Sequence, residues 1–263
     1  MSQRLTNKFA SLKAQGKTAF IPFIMGGDPD AAASLEFLKS LPAAGADIIE
    51  IGMPFSDPMA DGPVIEAAGN RALDGGMTLA KTLSQVAEFR ETDDETPIIL
   101  MGYSNPPYIM GWEKFCVAAK QAGVDGLILV DLPPEEEAEA TPYMVENEID
   151  LIRLVTPTAD AARREVILKS ASGFVYYVSV AGITGDKSAT NRSLDKAMSD
   201  LRAQTDLPLA IGFGIKTPEQ AADAARHADA VVVGSAIVKI LNEQGVDKAL
   251  ELVSDLASAT HTV

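Results

Sequence analysis

The sequence predicts an α/β fold, a (β/α)8 TIM barrel preceded by an extra amino-terminal helix, in one domain over residues 1–263. Three observations carry this. Short apolar, β-rich runs alternate eight times with amphipathic helical patterns. Several runs are apolar on both faces, as a parallel sheet covered on each side requires. The length of 263 residues suits such a barrel, which takes about 250. An open doubly wound sheet shares the pattern. Both folds place functional side chains at the carboxyl ends of their strands.

The strands are expected at Thr18–Phe23, Asp47–Ile51, Pro97–Met101, Gly126–Val130, Ile149–Val155, Phe174–Ser179, Pro208–Gly212 and Ala230–Gly234. Ile48-Ile49, Leu127-Ile128-Leu129-Val130 and Val231-Val232-Val233 are the runs that lack alternation. Helices are expected at Asp30–Ala44, Val64–Asp74, Thr78–Thr92, Trp112–Ala122, Pro134–Glu146, Asp160–Ser170, Leu194–Thr205, Pro218–His227 and, in pieces, Ala236–Leu256, with Arg4–Gln15 as the extra one. Three helix-to-strand joints share one form, ending at Asp47, Asp125 and Asp229. Two of them place a glycine, Gly45 or Gly123, where a helix end takes a left-handed residue.

Composition narrows the function. The net charge of −15 opposes the counterion release that drives nucleic-acid binding, so no nucleic-acid partner is expected. No apolar run is long enough to span a bilayer, and Met1 to Gln15 is a charged helical pattern without a signal core; a cytoplasmic protein is expected. The single cysteine, Cys116, rules out an internal disulfide or a thiolate cluster. An anionic substrate would need local donors against this field.

Those donors are found in two loops, Gly212-Phe213-Gly214-Ile215 and Gly234-Ser235-Ala236-Ile237, each followed by a helix. Glycine lets backbone N–H groups approach an anion, and the helix start adds the positive end of its dipole. One such loop alone suggests only a tight turn. Glycine loops after the seventh and eighth strands together match a recurrent barrel phosphate site.

Glu50 lies near the end of the second strand among isoleucines. Burial there raises a carboxyl pKa toward the range useful for proton transfer, unless a lysine or arginine pairs with it. In the loop that follows, Asp57 and Asp61 either cap turns or return to the barrel mouth. Tyr103 and Asp131 stand after strands three and four. Gly182-Ile183-Thr184-Gly185 has the glycine hinges of a lid. Phe23, Leu100, Tyr103, Tyr176 and Phe213 fall near strand ends, where they either wall a pocket for an aromatic ligand or simply pack. The only histidines, His227 and His261, are remote from these loops, so no histidine metal site is expected, and no lysine lies inside a strand to form a Schiff base. The loop Met25-Gly26-Gly27-Asp28-Pro29 is no dinucleotide fingerprint.

The segments Phe23 to Pro29, Glu50-Ile51-Gly52-Met53-Pro54-Phe55-Ser56-Asp57-Pro58, Asp61-Gly62-Pro63, Gly182-Ile183-Thr184-Gly185, Gly212-Phe213-Gly214 to Glu219 and Gly234-Ser235-Ala236-Ile237-Val238 closely resemble the tryptophan synthase α-subunit family, in order through nearly the whole chain. The Pro-Phe-Ser-Asp-Pro run after a strand-end glutamate is the most specific of them. The resemblance implies retro-aldol cleavage of indole-3-glycerol phosphate to indole and glyceraldehyde 3-phosphate, with Glu50 as general acid and base and Asp61 orienting the indole. It implies phosphate binding by Gly185, Gly214, Gly234 and Ser235. It implies a pocket of Phe23, Leu100, Tyr103, Tyr176 and Phe213, with Thr184 closing the lid. It further implies an αββα complex with a β subunit contacted through Pro54, Asp57 and the Tyr103-Ser104-Asn105-Pro106 stretch. Pyridoxal phosphate would sit in that partner, with no cofactor or metal in this chain.

Arg153, inside strand five, departs from the family picture. Facing inward it alters the pocket; facing outward it is expected to pair with an acid of an outer helix. Val180 and Ala181 make the lid's start more apolar than expected. Two other readings use the same residues: an isomerase or epimerase of sugar phosphates, and a non-catalytic ligand-sensing subunit.

Overall fold

The computed structural model describes residues 2–178, 187–212 and 214–262. The strands are β1 (Ala19–Met25), β2 (Ile49–Gly52), β3 (Ile98–Gly102), β4 (Gly126–Leu129), β5 (Asp150–Leu151), β6 (Arg153–Val155), β7 (Val175–Val178), β8 (Leu209–Gly212) and β9 (Ala230–Val233). Every pairing is parallel, in the order β5-β4-β3-β2-β1-β9-β8-β7-β6.

The fifth expected strand is thus two short ones, interrupted at Ile152. The cause is a change of partner. Its first half pairs with β4, through Gly126↔Asp150 and Leu127↔Leu151, and its second with β7, beginning at Arg153↔Val175. Ile152 N still donates to Leu127 O at 2.9 Å. One segment therefore stands at both ends of the strand order, and the sheet curls into a nearly closed barrel.

The helices are α1 (Gln3–Ala14), α2 (Ala31–Ser40), α3 (Pro63–Asp74), α4 (Leu79–Arg90), α5 (Asn105–Met110), α6 (Trp112–Ala122), α7 (Thr141–Glu146), α8 (Ala161–Leu168), α9 (Lys187–Arg202), α10 (Pro218–Ala225), α11 (Ser235–Gln244) and α12 (Val246–His261). Their starts follow side-chain chemistry. Asp30 accepts from Ala32 N and Ala33 N, while Thr78, Asp160 and Thr217 each cap a helix in the same way. Gly123 ends α6 in the left-handed conformation, and Gly245, at φ 86°, divides α11 from α12. The helix expected at Pro134–Glu146 is instead a 3₁₀ turn, Pro134–Glu139, followed by α7. Proline occupies the first turn of each, a position that starts a helix but cannot continue one.

Strand periodicity sorts the side chains. Phe20, Ile24, Ile49, Ile51, Ile98 and Leu100 point outward and pack under the helices. Ala19, Ile21, Ile48, Ile99, Ile128, Ile152, Phe174, Tyr176, Ala210 and Val232 fill the barrel. Phe23, Met25, Ala68, Ala72, Met77 and Val238 form a third cluster, which Met101 joins to the interior. At the opposite end α1 closes the floor with Leu5, Phe9 and Leu12, and Phe9 meets Phe174 at 5.8 Å between ring centroids.

The three aspartate joints share a function. Asp47 Oδ2 accepts from Phe20 N (2.9 Å), Asp125 Oδ2 from Ile98 N (2.9 Å) and Asp229 Oδ2 from Leu209 N (2.8 Å). Each carboxylate satisfies an N–H near the start of the preceding strand, where the ladder to the following strand has not yet begun.

Candidate active site

Ile48 faces the barrel interior, so two-residue periodicity turns Glu50 inward as well. Glu50 pairs in register with Phe23 on one side and Ile99 on the other, and is 1% exposed. Among the described residues no lysine or arginine forms an ion pair with it, and its Oε2 has no hydrogen-bond partner. Burial in these surroundings pushes its carboxyl up to about 8. The Tyr176 hydroxyl is raised well above its ordinary value, chiefly by burial and then by the charge of Glu50, which places the two groups within electrostatic reach.

Phe23 and Tyr176 wall this end of the barrel, each lying over glycine. A Cβ on Gly52 would come 2.7 Å from Phe23 Cζ, and one on Gly234 would come 3.3 Å from Phe23 Cβ. A Cβ on Gly212 would fall 2.2 Å from Tyr176 Oη. Phe23 therefore bridges the backbone just past Glu50 and the glycine expected to hold phosphate. Leu100 does not share this wall. It points outward into the layer under the helices, fully buried, and the inward residue of β3 at this end is Met101. Strict alternation from Ile99 was the signal for Met101; the purely apolar run Ile98-Ile99-Leu100-Met101 masked it.

Asp61 is half-buried, and Tyr103 reaches it from the loop after β3. Tyr103 Oη donates to Asp61 Oδ1 at 2.9 Å and accepts from Ala60 N at 3.0 Å. The ring of Tyr103 packs on Phe55 at 5.6 Å. Burial raises the Asp61 carboxyl, the Tyr103 hydrogen bond opposes that rise, and the charge of Glu66 adds to it. Tyr103, buried and hydrogen-bonded, is pushed up to about 12. It serves here as a bracket for the Asp61 loop as well as a wall.

Gly214 has φ 80°, a left-handed backbone that glycine adopts without strain, and Ser235 is the first residue of α11. The pairing Gly212↔Val232 sets the exits of β8 and β9 side by side. Two backbone segments able to present N–H groups thus leave adjacent strands. Thr184, Gly185 and Phe213, with the rest of the expected lid from Val180 and Ala181 onward, lie outside the described residues.

On the outer side of the Asp61 loop, Pro54 is buried, while Asp57 and Asn105 are exposed. Ser56 Oγ donates to Asp57 Oδ2 at 2.6 Å. Beside them Met59 is 78% and Ile109 76% exposed, apolar surface of the kind that marks a contact face. A cavity of about 420 Å³ opens next to Asn105, Tyr108, Trp112 and Leu132.

Arg153 faces outward and is buried. It ion-pairs with Glu137, donates from Nη1 to Leu132 O at 2.7 Å, and donates to Ser170 Oγ. Its acid belongs to the 3₁₀ helix Pro134–Glu139, in the outer layer where an outward-facing arginine is expected to find one. No group of three His, Cys, Asp or Glu among the described residues is arranged to hold a metal. His227 and His261 instead contact Asp195 and Asp47.

An inward, buried carboxyl without an ion-pair partner among the described residues, a second carboxylate held by a tyrosine, and glycine turns at the last two strands gather at the carboxyl ends of the strands, the face on which barrel enzymes of this class carry their active sites. The sequence profile of the tryptophan synthase alpha chain family matches residues 9–262. The fold is similar to tryptophan synthase subunit alpha from Legionella pneumophila str. Paris, with 39% identity, a TM-score of 0.92, and coverage of 99% of this chain and 98% of that one. A protein from Aquifex aeolicus VF5 aligns at 35% identity and a TM-score of 0.92, covering 99% of this chain and 100% of that one. A chain of tryptophan synthase from M. tuberculosis, in its aminoacrylate- and BRD0059-bound form, aligns at 32% identity and a TM-score of 0.91, covering 100% of both. The chain belongs to the tryptophan synthase alpha chain family, lyases that cleave indole-3-glycerol phosphate in tryptophan biosynthesis.

Proposed function

We propose that one domain, residues 1–263, releases indole and glyceraldehyde 3-phosphate with Glu50 as its proton-transfer group and Asp61 as the carboxylate facing the indole nitrogen. The observation that carries this is the Glu50 carboxyl, buried, unpaired and poised at about 8. A carboxyl with that value is mostly protonated at neutral pH and able to give up its proton, as a general acid must.

Cleavage begins with a proton delivered to C3 of the indole, which leaves the ring nitrogen cationic. The bond from C3 to the side chain then breaks toward the ring, as the adjacent hydroxyl becomes a carbonyl and gives up its proton. The Glu50 carboxylate formed in the first step takes that proton, so the group is regenerated and the cycle consumes no external acid or base. Asp61, ionised, accepts from the ring N–H and stabilises the cation. Backbone N–H groups at Gly214, Gly234 and Ser235, with Gly185 in the lid, hold the phosphate without a lysine or arginine. Phe23, Met101, Tyr103, Tyr176 and Phe213 enclose the ring, and Thr184 closes toward Asp61.

The chain works in an αββα complex with a tryptophan synthase β subunit, which carries the pyridoxal phosphate; this chain needs no cofactor. Pro54, Asp57 and Asn105 meet that subunit, and the exposed Met59 and Ile109 beside them support this face as the contact. No described helix is long and apolar enough to cross a membrane, and the reading places the enzyme in the cytoplasm. Glu50→Gln keeps the shape and removes the exchangeable proton. With the β subunit present it should lose activity by about a hundredfold or more and still bind substrate. A fully active variant would refute the role of Glu50.

A further inference from the structure

Three loops meet above β2, β3 and β4, and Asp131 ties two of them together. Its Oδ1 accepts from both Ser104 N, at 2.7 Å, and Ser104 Oγ, at 2.8 Å. Ser104 directly follows Tyr103, whose hydroxyl holds Asp61 Oδ1 and Ala60 N. Asp131 is itself anchored, because the next residue, Leu132, presents its carbonyl to the buried Arg153 of β6. Glu137 and Ser170 hold that guanidinium from the other side. A continuous chain of short contacts therefore runs from a barrel strand through Arg153, Leu132, Asp131, Ser104 and Tyr103 to Asp61.

We propose that Asp131 is a positioning residue for the reaction: by clamping residue 104 it aims the Tyr103 hydroxyl, and through it the carboxylate of Asp61, at the indole nitrogen. The proposal rests on the reading of Asp61 as the carboxylate that stabilises the cationic ring. With the clamp gone, the backbone at 104 is held by neither bond, and the Tyr103 hydroxyl can leave Asp61. The loss falls on the transition state, where the ring charge develops, and so on kcat more than on KM. It also changes pH dependence. The Tyr103 bond opposes the rise of the Asp61 carboxyl, and Glu66 on α3, the other ionisable group acting on Asp61, is untouched. Without that bond Asp61 protonates at higher pH, so the acid limb of kcat/KM moves upward.

The test measures kcat and KM against pH for the full chain with its β subunit. Asp131→Ala should lower kcat about tenfold, as loss of a well-placed hydrogen bond does, with KM little changed. Its acid limb should shift toward that of Tyr103→Phe. Asp131→Asn, which keeps the accepting oxygen, should recover most of both effects. Ser104→Ala, losing one bond of the two, should shift the limb in the same direction by less, and serves if Asp131→Ala does not fold. An unchanged kcat and acid limb in a folded Asp131→Ala or Ser104→Ala, with Asp61→Asn inactive, overturns the clamp. A fully active Asp61→Asn instead overturns the reading on which it rests.

Discussion

At the scale of single residues, Glu50 sets the character of the site by what it lacks. Among the described residues no cation pairs with it and no donor meets Oε2; an ionised carboxylate so placed is costly inside a barrel of isoleucines, so the folded chain retains a proton that the unfolded chain releases. The sign of the linkage follows. Its pKa rises from 4.5 to about 8 on folding, so the stability it contributes is complete below 4.5 and lost as pH rises through about 8. Denaturant titrations should show stability falling relative to Glu50→Gln across that window, by at most ~1.4 kcal/mol per pH unit. Parallel curves for the two proteins would mean that Glu50 is solvated or paired. Gly212 makes a second point at this scale. A methyl group there meets Tyr176 Oη, and the buried tyrosine has little room to yield. Gly212→Ala should cost about 1–3 kcal/mol and raise KM by displacing the ring into the pocket. An unaltered KM and melting temperature would show that Tyr176 moves aside freely.

Among the elements, strands and joints divide the work between opposite ends of the barrel. The joints carry stability. Asp125 is buried and accepts from Ser2 Oγ, Arg4 Nη1, Arg90 Nη2 and Ile98 N, so it unites α1, α4 and β3. Asp229 has the same place in its joint but is more open to water, accepting from Leu209 N and Arg202. Asp125→Ala should therefore destabilise by about 3–5 kcal/mol, because it takes the buried carboxylate from Arg90 and leaves that half-buried guanidinium with backbone carbonyls alone. Asp229→Ala should cost about 1 kcal/mol. Equal losses in chemical denaturation would show that burial does not set the difference. The repeated joint could be read from the chain, but its bonds could not. Each aspartate accepts from a strand residue 20 to 27 positions earlier, a partner that no local pattern names.

Across the whole molecule, the floor and the mouth are separated by the packed interior, and this separation is testable. Leu5 of α1 is buried beneath the barrel, at the end away from Glu50 and the glycine turns. Leu5→Ala should cost about 2–5 kcal/mol of stability while leaving kcat and KM unchanged at temperatures where the protein stays folded. A fall in kcat without unfolding would mean that floor and mouth are coupled. The eight strand-forming segments, the placing of Glu50 among isoleucines at a strand end and the glycine turns after the last two strands were legible from residue order. Backbone periodicity and the steric freedom of glycine are local properties, written within a few neighbouring residues. The Pro-Phe-Ser-Asp-Pro run likewise carried the family by itself. Folding in three dimensions decided the rest: that segment 150–155 changes partners to close the ring, that Arg153 finds Glu137, and that Tyr103 closes on Asp61 across 42 residues. Met101 lies between the two cases, since alternation pointed inward to it and only packing separated it from Leu100. The contacts that make a site join side chains distant in sequence, and their geometry exists only once burial has fixed which faces of the strands and loops meet.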